Sequence, residues 1–194
     1  MNYVSVAIDG PAGAGKSSVS KELAQKLNFI YVDTGALYRS LGYVALQNNL
    51  DTKNNIDLIS KLIDNTSITI KYIDGIQHLF ANGNDITDKI RTPEVSKAAS
   101  DVSAIPYVRN ALLDMQRNLA KTNNVIMDGR DIGTVVLPNA TIKIFLTASV
   151  DNRAERRYKE LVEKGVDADL ESIKKDISYR DEQDSNRPVA PLKP

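Results

Sequence analysis

The chain has 194 residues, 42% of them hydrophobic, and its 25 Lys plus Arg balance 25 Asp plus Glu. This length suits one sizeable α/β domain with room for an inserted subdomain, and the zero net charge argues against a general nucleic-acid binder, so phosphate recognition has to be local and geometric. The lack of cysteine excludes disulfides and thiolate metal sites and fits a reducing cytoplasm; the N-terminus enters a strand rather than a signal peptide, and no apolar run is long enough to span a membrane.

The run Val4-Ser5-Val6-Ala7-Ile8 predicts a buried strand leading into Gly10-Pro11-Ala12-Gly13-Ala14-Gly15-Lys16-Ser17, which fits the phosphate-loop pattern G-x-x-x-x-G-K-[ST]. A helix is expected from Ser17 to about Leu27, with Val19, Leu23 and Leu27 as its apolar stripe. Glycines let successive N–H groups converge on a phosphate, and the helix N-terminus adds partial positive charge. Lys16 is placed to reach β- and γ-phosphates, and the Ser17 hydroxyl to ligate Mg²⁺.

Phe29–Asp33 predicts a second parallel strand, and Thr34-Gly35 opens a helix through Leu37, Leu41, Val44 and Ala45. Arg39, one turn in, is either a surface arginine or a phosphate ligand. A polar connection leads to a short helix around Asp57–Asp64. Segments Ser67–Ile73 and Ile76–Ala81 flank Asp74-Gly75, which suits a type I′ hairpin turn, and Asn82-Gly83 repeats the signal before a short strand near Asp85-Ile86-Thr87. His78, the one histidine, is read as a hairpin surface residue. Thr92-Pro93 gives an N-cap and a first-turn proline; a second helix follows Pro106 with Val108, Leu112, Met115 and Leu119 on its apolar side.

The parallel pattern resumes at Asn124–Asp128 and Thr141–Thr147. Asp128, at a strand end, is either part of a surface turn or the acid that steadies Mg²⁺ directly or through water. Asp151–Lys164 predicts a charged helix carrying Arg153, Arg156 and Arg157, with Arg153 and Arg157 on one face. Asp169–Asp181 predicts another, with Leu170, Ile173 and Ile177 inward, before an irregular Pro-rich tail.

Taken together, Ile8–Ser17, Asp33-Thr34-Gly35-Ala36-Leu37-Tyr38-Arg39, Ile90–Val95, Asp128-Gly129-Arg130-Asp131-Ile132-Gly133-Thr134 and Arg180–Leu192 resemble the bacterial cytidylate kinases, a family of nucleoside monophosphate kinases. The resemblance implies a P-loop parallel sheet flanked by helices, with a core of about 1–40, 105–150 and 182–194. It implies a CMP-binding insert of about 41–104 with a small antiparallel sheet, and a helical lid of about 151–168.

It further implies transfer of the γ-phosphoryl of MgATP to CMP or dCMP. Gly10, Pro11, Ala12, Gly13, Ala14, Gly15, Lys16, Ser17 and Ser18 are then the ATP-binding residues. Thr34, Arg39 and Arg130 lie on the acceptor phosphate side. Ser100, Arg109 and Asp131 recognise cytosine; Arg180, Asp184 and Arg187 contact the sugar or base edge. Lys16, Asp128, Arg130, Arg153 and Arg157 are the expected catalytic set, with Arg153, Arg156 and Arg157 in a mobile lid over ATP. The expected partners are small-molecule substrates only, without nucleic acid or membrane, in a cytoplasmic monomer. The family pattern adds a strand and a helix beyond Pro194, on which the sheet depends.

Three other readings compete on the same loop, one of them a nucleotide-binding scaffold without catalysis, which binds ATP and phosphorylates no monophosphate. A GTP-driven switch carries Asn-Lys-x-Asp, which does not occur here. A shikimate-type kinase shares the fold and is separated by its acceptor.

Overall fold

A computed structural model describes residues 3–163 and 165–194. Strands β1 (Ser5–Asp9), β2 (Ile30–Asp33), β6 (Val125–Gly129) and β7 (Ile142–Phe145) form one parallel sheet in the order β2-β6-β1-β7. β1 and β6 lie inside the sheet, and Val6, Ala7, Ile8, Val125, Ile126 and Met127 are buried, as a strand covered on both faces requires. Register aligns the strand ends: Asp33 lies opposite Asp128, and Asp9 opposite Gly129. The carboxyl edge of the sheet therefore carries Asp33 beside Asp128, with Asp9 one position further along, where open α/β sheets bind ligands.

Helix α1 (Lys16–Leu27) follows β1 as expected, but of its apolar stripe only Leu23 packs against the core. Val19 is 46% and Leu27 47% exposed; Ser20 and Ala24 are the buried positions. Small side chains let this helix lie close on the sheet, and Val19 and Leu27 turn aside. Helix α2 (Thr34–Gln47) is capped by Asp33, whose Oδ1 accepts from the Ala36 N–H at 2.9 Å.

The middle of the chain forms α3 (Ile56–Asp64), a three-stranded antiparallel sheet of β3 (Ile68–Ile73), β4 (Ile76–Ala81) and β5 (Asn84–Asp85), then α4 (Pro93–Ser103) and α5 (Pro106–Thr122). Both Asp74 and Gly75 have positive φ, at 52° and 75°, as a type I′ turn demands. β5 falls one residue earlier than expected because Ile86 turns inward and Thr87 hydrogen bonds to Asp85 and Leu79. Thr92 Oγ1 caps α4 by accepting from Val95 N–H at 3.3 Å.

One apolar cluster joins Leu37 and Leu41 of α2, Ile59 of α3, Ile68 and Leu79 of the small sheet, and Val102, Val108 and Leu112 of α4 and α5. The insert thus shares its core with helices on both sides of it. Gly42 makes this possible: a Cβ there would lie 2.9 Å from Ala99 N, so α2 and α4 meet backbone to backbone.

β2 is an edge strand. Its Ile30 N–H donates to Asn124 O on the β6 side, so alternation turns the Tyr31 and Asp33 backbone groups outward. The small sheet meets them. Asp33 N–H donates to Gln77 Oε1 at 2.9 Å, Gln77 Nε2 donates to Asp33 O at 3.3 Å, and the Tyr72 hydroxyl donates to Tyr31 O at 3.1 Å.

After β7, α6 (Val150–Glu163) packs on α7 (Leu170–Asn186). Lys164, expected to end the first of these, lies outside the described residues. α7 runs five residues past the expected Asp181, continuing through Asp184 to Asn186. No helix among the described residues is long and apolar enough to cross a membrane.

Candidate active site

The loop Gly10–Gly15 leaves β1 and folds over the start of α1. At Gly10 the Leu146 carbonyl is so near that a Cβ would sit 1.9 Å from its oxygen, so no side chain fits. Lys16 is buried at 6% exposure, and its Nζ donates to Pro11 O at 2.7 Å. Burial, with the nearby Arg130 charge, pushes its ammonium down to about 7. A cation desolvated this way gains most from an arriving anion.

Ser17 Oγ donates to Asp128 Oδ2 at 2.7 Å, and the Tyr31 hydroxyl donates to Asp128 Oδ1 at 3.2 Å. Burial and the neighbouring Asp33 charge push the Asp128 carboxyl up, while Ser17, Lys16 and Tyr31 pull it back. A hydroxyl and a carboxylate in contact beside the phosphate loop are hard oxygen donors. They fit Mg²⁺, which takes one or two protein oxygens and fills its shell with phosphate oxygens and water. No group of three His, Cys, Asp or Glu that could cage a metal occurs among the described residues.

Across the cleft, Arg39, Arg130, Arg109 and Arg187 each already have a carboxylate. Arg39 Nη2 donates to Asp33 Oδ2 at 2.7 Å, while its buried Nε has no partner. Arg130 Nε donates to Asp184 Oδ2 at 2.7 Å. Asp131, 4% exposed, accepts from Arg109 on one oxygen and from Arg187 on the other, the latter at 3.1 Å. Arg180 is pushed down from the usual guanidinium range by burial and the Arg130 charge, and Arg187 by burial and the Arg109 charge. This crowding of cations around few carboxylates is what an anion site needs.

A cleft of about 260 Å³ joins the two sides. Lys16, Ser17, Asp128, Thr34, Arg39, Arg130, Asp131, Arg180, Asp184, Arg187 and Ser100 all line it, as do Ala12 and Gly13. Arg109 is buried and does not itself line the cleft; it pairs with Asp131, its guanidinium 5.5 Å from the Tyr38 ring centre. Ser18 is exposed and outside the cleft.

The arginines of α6 divide. Arg153, expected in a mobile lid, is 3% exposed and donates to Ala12 O at 3.1 Å and Asp181 Oδ1 at 2.9 Å, tying the phosphate loop to α7. Arg156 reaches over Gly15. Arg157 does not line the cleft; its side chain is 44% exposed and pairs with Glu160 at 3.2 Å, and its charge acts on Arg180 at the cleft wall. Four residues advance a helix by about 6 Å, enough to carry Arg157 past the loop that buries Arg153.

Two contributors went unassigned in the sequence. Asp9 accepts from the Ile132 and Gly133 N–H groups, both at 2.7 Å, at the start of a π-helical turn (Ile132–Val136), and so pins the loop bearing Arg130 and Asp131. Burial pushes its carboxyl up. A charged residue ending an otherwise apolar strand is the signal for it. Arg91 comes within 3.5 Å of Asp33 Oδ2, beside Arg39. His78 lies away from the cleft and pairs with Asp85 at 3.0 Å, and Thr87 and His78 hold that carboxyl down at about 2.

A phosphate loop between a parallel strand and a helix, facing an arginine-rich pocket across one cleft, defines a P-loop kinase of small acceptors. The comparisons narrow this class. A family model described as Cytidylate kinase matches residues 6–194. The cytidylate kinase of Caldicellulosiruptor bescii is 51% identical over 193 residues, 100% of this chain and 85% of that protein. That of Streptococcus thermophilus is 50% identical over 194 residues, 100% of this chain and 86% of that protein. That of a Geobacillus species is 52% identical over 192 residues, 99% of this chain and 85% of that protein. The chain belongs to the cytidylate kinase family, and is a nucleoside monophosphate kinase.

Proposed function

We propose that the protein transfers the γ-phosphoryl group of ATP to CMP or dCMP, releasing ADP and CDP or dCDP. The observation that carries this reading is the single cleft in which Lys16 and Ser17 face Arg39, Arg130 and Arg180. Two polyanions repel, and cations on both sides hold them in line at reacting distance.

On the donor side, the backbone of Gly10–Gly15 cradles the β-phosphate, and Lys16 leaves Pro11 O for the β- and γ-phosphate oxygens. Arg156 approaches from α6. Ser17, and Asp128 directly or through water, would hold Mg²⁺, which would supply positive charge against the triphosphate. On the acceptor side, Arg39 and Arg130 turn from Asp33 and Asp184 to the α-phosphate, with Thr34 at the strand end. Forked guanidinium groups bind phosphate oxygens in pairs, which fixes the attacking oxygen. Arg180, Asp184 and Arg187 take the sugar. As charge spreads over the transferring group, Lys16 and Arg130 stabilise it.

Ser100, Arg109 and Asp131 read the base. Cytosine presents an acceptor at N3 and a donor at N4. The Arg109–Asp131 pair offers both complements, and uracil reverses them, leaving a buried group unpaired at a cost of about 1–3 kcal/mol. The protein acts in the cytoplasm as a monomer on small molecules.

The test is a coupled ADP-release assay with CMP, dCMP, UMP, AMP and shikimate as acceptors. CMP and dCMP are expected to be best; comparable turnover of AMP or shikimate overturns the reading.

A further inference from the structure

We infer that Gln77 is a positioning residue for the acceptor phosphate arm, acting through Asp33. The inference rests on the proposed reaction for its kinetic test, but its geometry stands alone.

The free edge of β2 offers the Tyr31 carbonyl and the Asp33 N–H and carbonyl, with no strand beside them. Gln77 and Tyr72 are directly opposite each other on β4 and β3, so both side chains leave the same face of the hairpin. Together they supply the missing partners. The Gln77 carboxamide accepts from Asp33 N–H at 2.9 Å and donates to Asp33 O at 3.3 Å, as a peptide of a neighbouring strand would. Tyr72 caps Tyr31 O at 3.1 Å. The hairpin extends the main sheet with side chains instead of backbone.

The two contacts differ in what they fix. Tyr72 holds a residue whose side chain points to Asp128. Gln77 holds both backbone groups of Asp33, the residue whose carboxylate caps α2 through Ala36 N–H and pairs with Arg39 and Arg91. A primary amide offers a donor and an acceptor at the spacing of one backbone N–H and carbonyl without carrying a charge at neutral pH. Asp33 is also where the sheet ends and α2 begins, so its backbone has no ladder on the outer side to hold it. Without Gln77, rotation of this peptide moves the Asp33 carboxylate, and with it the resting place of Arg39.

The experiment compares Gln77→Leu, Gln77→Glu and Tyr72→Phe with the unaltered protein. Gln77→Leu keeps the bulk and loses both bonds; Gln77→Glu keeps an acceptor for the N–H and loses the donor, and guards against a misfolded Leu variant. Amide exchange of Asp33 is read by NMR without nucleotide, and KM for CMP and ATP are read in the ADP-release assay. Gln77→Leu is expected to speed Asp33 exchange and raise KM for CMP about tenfold, with Gln77→Glu intermediate. KM for ATP stays within about twofold. Tyr72→Phe, which loosens the same hairpin, is expected to leave both Asp33 exchange and KM for CMP near the unaltered values. Unchanged Asp33 exchange in Gln77→Leu overturns the clamp. Faster exchange with unchanged KM for CMP, or equal losses in Tyr72→Phe, overturns the positioning role. Failure of the unaltered protein to use CMP overturns the proposed reaction and leaves the exchange result to decide the clamp.

Discussion

Arg130 Nε donates to Asp184 Oδ2 at 2.7 Å, so the guanidinium expected to meet the acceptor phosphate is held in place by a carboxylate of α7. A phosphate outcompetes this partner only if it presents two oxygens to the planar fork. Arg130→Lys keeps the charge and loses the fork. We expect kcat/KM for CMP to fall about 10- to 100-fold, as loss of a charge-assisted hydrogen bond implies. An unaltered value in steady-state assays would reduce Arg130 to a counter-ion of Asp184.

Lys16 is predicted to make ATP affinity pH-dependent. Its ammonium sits at about 7 in the free protein, and a triphosphate beside it restores the charged form. Binding then takes up a proton above about pH 7 and none well below it, so affinity falls as pH rises from about 7 toward 9. Calorimetry in buffers of different ionisation enthalpy measures the uptake; a buffer-independent heat at pH 8 contradicts it. Lys16→Ala is expected to abolish the uptake and lower turnover at least about 100-fold.

Arg39→Ala should act on one substrate only. Arg39 lines the cleft from α2 and is paired there with Asp33, on the side opposite Lys16 in the proposed reading. KM for CMP is expected to rise about 10- to 100-fold while KM for ATP holds. An equal loss for ATP would place Arg39 on the donor side.

Ser100 lines the cleft from α4, on the side of Arg109 and Asp131. Ser100→Ala removes one acceptor without opening a large cavity. The ratio of CMP to UMP turnover is expected to shrink by about tenfold, more than the rate with CMP falls. A fixed ratio removes Ser100 from base recognition.

Gly42 tests the shared core. An added methyl would meet Ala99 N at 2.9 Å and Ala98 Cβ at 3.2 Å. Gly42→Ala is expected to destabilise the protein by about 1–3 kcal/mol in urea unfolding, the usual cost of overpacking. A gain in stability would show that α2 and α4 can part without loss.

Elements governed by near neighbours were legible in the sequence. The phosphate loop, the Asp74-Gly75 hairpin and the Thr92-Pro93 helix start each depend on a few adjacent residues. The Val19–Leu23–Leu27 stripe was right only at Leu23, because periodicity marks apolar faces but does not tell whether small residues such as Ser20 and Ala24 bring the helix closer. The cleft was legible only by resemblance. Asp131 meets Arg109 of α5 and Arg187 at the end of α7 through packing that no local spacing encodes. Arg153 and Arg157 look equivalent at four residues apart, yet one is buried beneath the loop and the other is in solvent.

α7 touches both halves of the cleft. Asp181 grips Arg153 and through it the Ala12 carbonyl, while Asp184, one turn on, grips Arg130. One helix thus pairs with both sides of the cleft, one turn apart. Withdrawing either arginine would leave a carboxylate of α7 without its partner. Thermodynamic reciprocity then requires ATP to alter the dissociation constant of CMP by the same factor that CMP alters that of ATP.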